Sequence, residues 1–80
     1  MKLNIDEVAD ALHLQLVEAE VVESEEIAAG IILDYDAAGE VVGLEVLYLS
    51  KRHHPIDLLD FQFQTHRKPS NASTTASVVA

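Results

Sequence analysis

The sequence contains no cysteine, and its first fifty residues contain a single basic side chain, Lys2. Without disulfides, a chain of 80 residues must be stabilised by a thin hydrophobic core alone. Self-association buries additional apolar area in such small domains, so we expect a homodimer. The absence of cysteine also fits a reducing compartment, which favours a cytoplasmic location.

Long apolar runs are missing as well. No stretch approaches the roughly 20 residues that a membrane-spanning helix needs. The N-terminus carries Asp6, Glu7 and Asp10 where a secretory leader has a continuous apolar segment. We therefore expect a cytoplasmic protein without a membrane partner.

Positive charge is scarce where negative charge is dense. Residues 1–50 hold twelve acidic side chains and a net charge of −11, whereas residues 51–80 have a net charge of +2 and hold Lys51, Arg52, Arg67 and Lys68. Nucleic-acid affinity depends on cations that displace counterions from phosphates, so the folded domain is not expected to bind nucleic acid. The same field attracts a small basic protein, although such a net charge also serves solubility alone.

Motifs that identify a reaction are also absent. Three scattered glycines cannot form a phosphate-binding loop, and no Gly-x-Ser-x-Gly motif surrounds Ser24 or Ser50. The adjacent His53 and His54 would point to opposite faces of an extended chain, which makes them poor joint zinc ligands. We predict no catalytic residue, no metal site and no cofactor.

The hydrophobic pattern has a period close to two, which is typical of strands. Leucines alternate with polar residues from Leu12 to Leu16, so His13 and Gln15 are predicted to lie on the opposite face of the sheet. Val21–Ile27 combines β-branched residues with carboxylates, as in an edge strand that discourages pairing with other chains.

The clearest local signal is a hairpin. The apolar runs Ile31–Asp36 and Val41–Leu49 flank a short loop that Asp36 precedes and that contains Gly39, a pattern that favours a type I turn closed by a left-handed residue. In the second run, Val41–Leu49, the predicted strand carries mostly apolar side chains on both of its faces. The C-terminal segment, a second subunit or both are therefore expected to cover the second face.

The segment Pro55–Phe63 allows two interpretations. Ile56, Leu59 and Phe63 form one apolar helical stripe, whereas alternation at the two phenylalanines favours a strand. Residues 68–80 are rich in Ser, Thr and Ala and are predicted to be disordered. The predicted fold is thus mainly β (α+β), with residues 1–67 forming an antiparallel meander of four to five strands with a short C-terminal helix or strand.

Candidate partner-binding residues were chosen for negative charge and predicted exposure: Glu23, Glu25, Glu26, Asp34 and Asp36. Asp34, Asp36 and Glu45 also define an alternative, a small-ligand or divalent-metal site with oxygen ligands. The structural interpretation is that Asp36 caps the turn, Asp34 is solvated and Glu45 limits edge pairing. The function expected from these residues is a small, acidic, non-catalytic protein-interaction module.

Several motifs together resemble a known family: Asp10-Ala11-Leu12, Ser24-Glu25-Glu26-Ile27, Gly30-Ile31-Ile32-Leu33-Asp34-Tyr35-Asp36, Gly39, Val42-Gly43-Leu44-Glu45 and Ser50-Lys51-Arg52. In order and spacing they are similar to the domain of unknown function 2283 family of small prokaryotic, mainly bacterial, proteins. The resemblance covers residues 1–52 and implies no established activity. Some relatives are encoded beside small basic proteins that resemble ribonuclease toxins, so the resemblance implies an antitoxin-like role. His13 departs from the family, which usually has an aromatic residue in that strand.

Overall fold

In the computed structural model, which describes residues 1–68, the chain forms one antiparallel sheet of five strands. The strands are β1 (Lys2–Asp6), β2 (Ala11–Gln15), β3 (Glu23–Ala28), β4 (Ile31–Tyr35) and β5 (Val41–Val46), and a 3-10 turn follows at Leu49–Lys51. The prediction of a mainly β, antiparallel fold is confirmed. The predicted disorder of residues 68–80 falls outside the described residues, apart from Lys68.

The strand order is β1-β2-β5-β4-β3, so the sheet is not one continuous meander. A β1–β2 hairpin joins a β3–β4–β5 meander because β2 pairs with β5. Residues 16–22 cross the ends of the intervening strands, and an extended chain of this length reaches roughly 23 Å, more than three strand spacings of about 4.8 Å. Three backbone hydrogen bonds hold this crossing: Leu16 N and Val17 N donate to Val42 O at 2.8 and 3.4 Å, and Val22 N donates to Tyr35 O at 2.9 Å. The strand predicted as an edge, β3, lies at one edge of the sheet.

The β4–β5 hairpin has the predicted turn. Asp36 Oδ1 accepts hydrogen bonds from the backbone N–H groups of Ala38 and Glu40, each at 2.9 Å. Gly39 donates its N–H to Asp36 O at 3.0 Å and has a φ of 83°, a left-handed conformation that glycine adopts without strain. Asp36 therefore caps the turn, as the structural interpretation predicted.

The register gives the sheet one apolar face. Directly opposed residues of antiparallel strands share a face, and the pairing aligns a leucine row across four strands: Leu3, Leu14, Leu44 and Leu33. A second row on the same side contains Ile5, Leu12, Val46 and Ile31. We call this side the apolar face.

The other side, the polar face, carries Gln15, Gly43, Asp34 and Ser24 in one row and Asn4, His13, Glu45, Ile32 and Glu26 in the next. His13 and Gln15 lie opposite the leucines, as predicted. The prediction that β5 is apolar on both faces is wrong. The strand ends at Val46, and its second face carries Gly43 and Glu45. Beyond the strand, Leu47 lies beside Glu45 and His13, whereas Leu49 belongs to the 3-10 turn.

The C-terminal segment forms neither the predicted helix nor a strand. Residues 52–68 are irregular apart from one turn, in which Asp60 N donates to Asp57 O at 3.2 Å. Asp57 Oδ1 also accepts from Leu59 N at 3.0 Å. Such local side-chain bonds compete with helix formation, and a nine-residue helix is short of the ~12–15 residues at which isolated helices become stable.

The core is as thin as the chain length implies. Among the described residues only two hydrophobic side chains are buried, Val42 and Leu49, each 4% exposed. Most apolar side chains of the sheet are half-buried, because a single layer has nothing packed on much of its apolar face. The described residues include no helix long and apolar enough to cross a membrane.

Candidate functional site

Three of the five predicted partner-binding residues form an acidic edge, which we define as Glu23, Glu25 and Glu26 on β3. All six residues of this strand are exposed. Tyr35 Oη donates to Glu25 Oε1 at 3.3 Å, and Gly30 N donates to Glu26 Oε2 at 3.0 Å. Within residues 1–68 no lysine or arginine pairs with these glutamates, so their negative charge is available to solvent or to a partner.

The acidic edge affects the neighbouring phenol. Partial burial, the negative charge of Glu25, its hydrogen bond and the charge of Glu23 together raise the pKa of Tyr35 above its ordinary value of 10.0. Each of these causes favours the neutral phenol over the phenolate. Tyr35 therefore reports the electrostatic potential at β3.

Replacement of Glu25 by glutamine is expected to lower the pKa of Tyr35 towards 10.0. Glutamine removes the charge but keeps an oxygen that accepts the phenolic hydrogen bond. Absorbance titration in a Tyr48→Phe background would isolate the Tyr35 signal. Because the folded-state pKa is raised, the stability that Tyr35 contributes is present below pH 10 and is lost as the pH rises through the folded-state pKa. An unchanged titration in the Glu25→Gln variant would contradict this assignment.

Asp34 does not belong to the exposed acidic surface, and the prediction that it is solvated is wrong. It is 8% exposed, because β4 is flanked by β3 and β5. Ser24 Oγ donates to Asp34 Oδ1 at 2.7 Å, and His13 Nε2 lies 3.3 Å from Asp34 Oδ2. These three residues form the Asp34 cluster, which connects strands β2, β4 and β3 on the polar face.

Gly43 on β5 makes the Asp34 cluster possible. It lies between His13 and Asp34, and a Cβ at this position would stand 3.2 Å from Asp34 Oδ2 and 3.3 Å from His13 Nε2. Because glycine has no Cβ, the side chains of His13 and Asp34 can meet across β5, the strand that lies between them. Sequence reasoning missed the cluster, although a glycine inside an apolar strand is a known sign of close approach.

The order of the three side chains in the Asp34 cluster differs from that in a catalytic triad. In a catalytic triad the imidazole stands between serine and carboxylate and removes the serine proton. Here the carboxylate of Asp34 stands between the other two side chains. Ser24 Oγ donates its hydrogen bond to Asp34 and not to His13. The cluster satisfies a buried carboxylate by two side chains from other strands.

The alternative set of metal ligands does not converge. Asp36 uses Oδ1 in the hairpin turn, whereas Glu45 lies within the sheet, opposite His13 on one side and Ile32 on the other. In the described part of the chain, no three His, Cys, Asp or Glu side chains are placed to hold a metal ion. The ligand or metal alternative therefore gains no support from residues 1–68.

A second polar contact, which sequence reasoning also missed, lies at the opposite end of the sheet from the hairpin turn. Asp10 Oδ1 accepts from Ser50 N at 2.8 Å and Asp10 Oδ2 accepts from Ser50 Oγ at 2.7 Å. Asp10 and Tyr48 both have a φ of 58°, a left-handed conformation uncommon for residues other than glycine. This Asp10–Ser50 clasp fixes the chain where it leaves β5.

A comparison with family models gives one match. The family described as "Protein of unknown function (DUF2283)" matches residues 2–50, which is more than half of the chain and includes all five strands. No curated protein and no solved structure gave a match. The Asp10–Ser50 clasp and the Asp34 cluster both lie within the matched residues. The resemblance identified in the sequence is confirmed, and the chain belongs to the DUF2283 family of proteins of unknown function.

Proposed function

We propose that this protein is a small, non-catalytic, cytoplasmic protein-interaction module that binds a basic protein partner along its acidic edge. The observation that carries the proposal is the position of Glu23, Glu25 and Glu26 on an exposed edge strand. The specific form of the proposal is antitoxin-like, in which the module masks a basic surface of a toxic partner.

The placement of charge supports this function. The only cation among residues 1–50 is Lys2, which lies on β1 at the far edge of the sheet. The acidic edge therefore has no compensating charge within the sheet, and its field steers a basic partner toward β3. An edge strand also leaves one side of its backbone unpaired, so an extended basic segment has hydrogen-bonding groups to pair with as well as carboxylates.

The non-catalytic part of the proposal is supported by how the polar side chains are used. Ser24, the hydroxyl nearest a histidine and a carboxylate, donates to Asp34 and is not activated by His13. Asp36 and Asp10 accept backbone hydrogen bonds that hold chain turns. These groups stabilise the fold that presents the acidic edge.

The test is affinity capture of the tagged protein from extract of its own cells at low and high salt, with partners identified by mass spectrometry. The module should recover a small basic protein in stoichiometric amount at low salt and lose it at high salt. The triple variant Glu23→Gln, Glu25→Gln, Glu26→Gln should bind the recovered partner about tenfold more weakly, since exposed charge pairs contribute roughly 0.2–1 kcal/mol each. It should also show a smaller salt dependence.

A matched control has the same change in net charge at exposed acidic residues away from β3: Glu7→Gln, Glu40→Gln, Asp60→Asn. This variant should keep wild-type affinity within a factor of about two, because charges beyond a Debye length of ~8 Å are largely screened at physiological salt. Equal weakening by both triple variants would show that net charge, and not the acidic edge, attracts the partner. Recovery of no basic protein at low salt would contradict the proposed function.

A further inference from the structure

Residues 1–68 do not supply a complete cover for the apolar face. Leu14 and Leu44 stand in the middle of the leucine row, on β2 and β5, which each have a neighbouring strand on both sides, yet each is only half-buried. In a sheet whose face is covered by a second layer, such central side chains are the most buried residues of the domain. The face therefore presents continuous apolar surface from β1 to β4.

The C-terminal segment covers one half of this face. A groove of ≈ 320 Å³ separates the segment from the sheet, and Leu3, Leu14 and Leu44 line its sheet side. The grooves beside the segment are lined by residues of β1, β2 and β5 and by none of β4 or β3. Leu33 and Ile31 on the β4 half are half-buried but line neither groove between the sheet and residues 52–68. We call this part of the apolar face the bare half.

The segment also adds apolar surface of its own. Phe61, Phe63 and Ile56 are each about half exposed, and Leu59 is 93% exposed. Because the C-terminal segment exposes these large apolar side chains on its outer side, that side also favours contact with another apolar surface. The molecule thus presents a raised apolar ridge over β1 and β2 beside a bare apolar surface over β4.

We propose that the apolar face is a dimerisation surface on which a second copy of this chain packs, so that the C-terminal segment of each copy covers the bare β4 half of its partner. A two-fold axis between the sheets and parallel to the strands places the β1 side of one copy over the β3 side of the other. The C-terminal segment of each copy then contacts the β4 half of the other copy. The same contact thus occurs twice, as a two-fold symmetric interface requires. The two sheets form the two layers that one chain is too short to supply.

Charge also favours a second copy as the occupant. On β1, β2, β5 and β4 the two rows contain no charged residue. The carboxylates on this side, Glu25 opposite Leu33 and Glu23 opposite Tyr35, stand only on the edge strand β3. Residues 51–68 hold four of the five cations of the chain. The same rotation brings this segment toward the partner's acidic β3 side, which places unlike charges and not like charges across the interface.

The first test is sedimentation equilibrium of the full chain over a wide concentration range. We expect a mass about twice the 8.8 kDa of one chain. Leu33→Lys places a charge on the bare half and should shift the protein to monomer, with its β-sheet circular dichroism retained. Val8→Lys, a matched charge at a 98% exposed apolar residue in the β1–β2 turn, should leave the dimer intact.

The second test does not depend on folding of the lysine variant. Because the chain has no cysteine, single-cysteine variants report proximity without background. A mixture of Leu33→Cys and Phe63→Cys chains should form the mixed disulfide under mild oxidation, whereas Val8→Cys with Phe63→Cys should not. A monomer at all concentrations overturns the proposal. A dimer that cross-links through cysteines on β1 or β3 but not through the Leu33 and Phe63 positions also overturns it, because the chains then pair edge to edge.

Dimerisation and the proposed function are separable in these experiments. Capture experiments detect a second, basic protein by mass spectrometry, whereas sedimentation and cross-linking of the purified chain detect only contacts between its own copies. If the protein is a dimer but captures no basic protein, the dimer inference stands and the proposed function is contradicted. If the protein is a monomer that captures a basic protein, the proposed function stands and the dimer inference is contradicted.

Discussion

The Gly43→Ala variant is expected to unfold at a lower urea concentration, with a loss of about 1–2 kcal/mol in the free energy of unfolding. Alanine in place of glycine inside a strand favours the folded state by roughly 0.5–1 kcal/mol, because the unfolded chain loses freedom. Forcing a methyl group into a well-packed site costs about 1–3 kcal/mol. The second effect is larger here because a Cβ at this position meets Asp34 Oδ2 and Leu14 O at 3.2 Å and His13 Nε2 at 3.3 Å.

A double-mutant cycle identifies which neighbour opposes the methyl group. His13→Ala removes the imidazole, which is 39% exposed and able to move, but leaves the backbone carbonyl of Leu14 in place. If the loss arises at the Asp34 cluster, Gly43→Ala should cost less in the His13→Ala background than in the wild type. Urea unfolding at one fixed protein concentration gives the free-energy cost of Gly43→Ala in each of the two backgrounds. A Gly43→Ala variant as stable as wild type would show that the polar face is looser than these distances imply.

Local turn chemistry was the most predictable part of the fold. Asp36 and Gly39 impose a particular hairpin turn wherever apolar strands flank them, and the structure has that turn with Asp36 as its cap. The edge position of β3 was also predictable, since a strand crowded with Glu23, Glu25 and Glu26 is poorly suited to the middle of a sheet.

The pairing of strands that are distant in sequence could not be predicted from the hydrophobic period and the turn signals. The β2–β5 pairing joins residues about thirty positions apart, and nothing in the hydrophobic alternation distinguishes it from a β2–β3 pairing. The irregular C-terminal segment escaped prediction for a related reason. Its apolar spacing is compatible with a helix, but Asp57 bonds to the nearby backbone instead.

Those unpredicted pairings explain why Asp34 was misjudged. Alternation places its side chain on the polar face, which suggests solvent, but the strand order puts β4 between β5 and the edge strand. Ser24 and His13 then reach it from two directions across a glycine. Burial of a carboxylate is thus decided by neighbours that are distant in sequence, and Gly43 was the one local sign of it.

The Asp10→Ala variant is expected to lose about 2–3 kcal/mol of stability, a large part of what a chain of this length possesses at roughly 0.05–0.15 kcal/mol per residue. Alanine removes the two hydrogen bonds that the carboxylate accepts from Ser50 N and Oγ. Partly exposed bonds to a charged acceptor contribute about 1 kcal/mol each, below the range for buried ones. A further 1 kcal/mol or so arises because alanine is strained at the left-handed φ of 58° that aspartate tolerates better.

Two variants separate the two causes. Asp10→Gly removes the same hydrogen bonds but adopts the left-handed conformation freely, so it should be about 1 kcal/mol more stable than Asp10→Ala. Ser50→Ala removes only the hydroxyl bond and should lose about 1 kcal/mol, with the backbone bond to Asp10 retained. Equal stability of the alanine and glycine variants would remove backbone strain from the account. A loss below about 0.5 kcal/mol in all three variants would mean that the clasp merely follows the path of the chain, and that the burial of Leu49 alone holds it there.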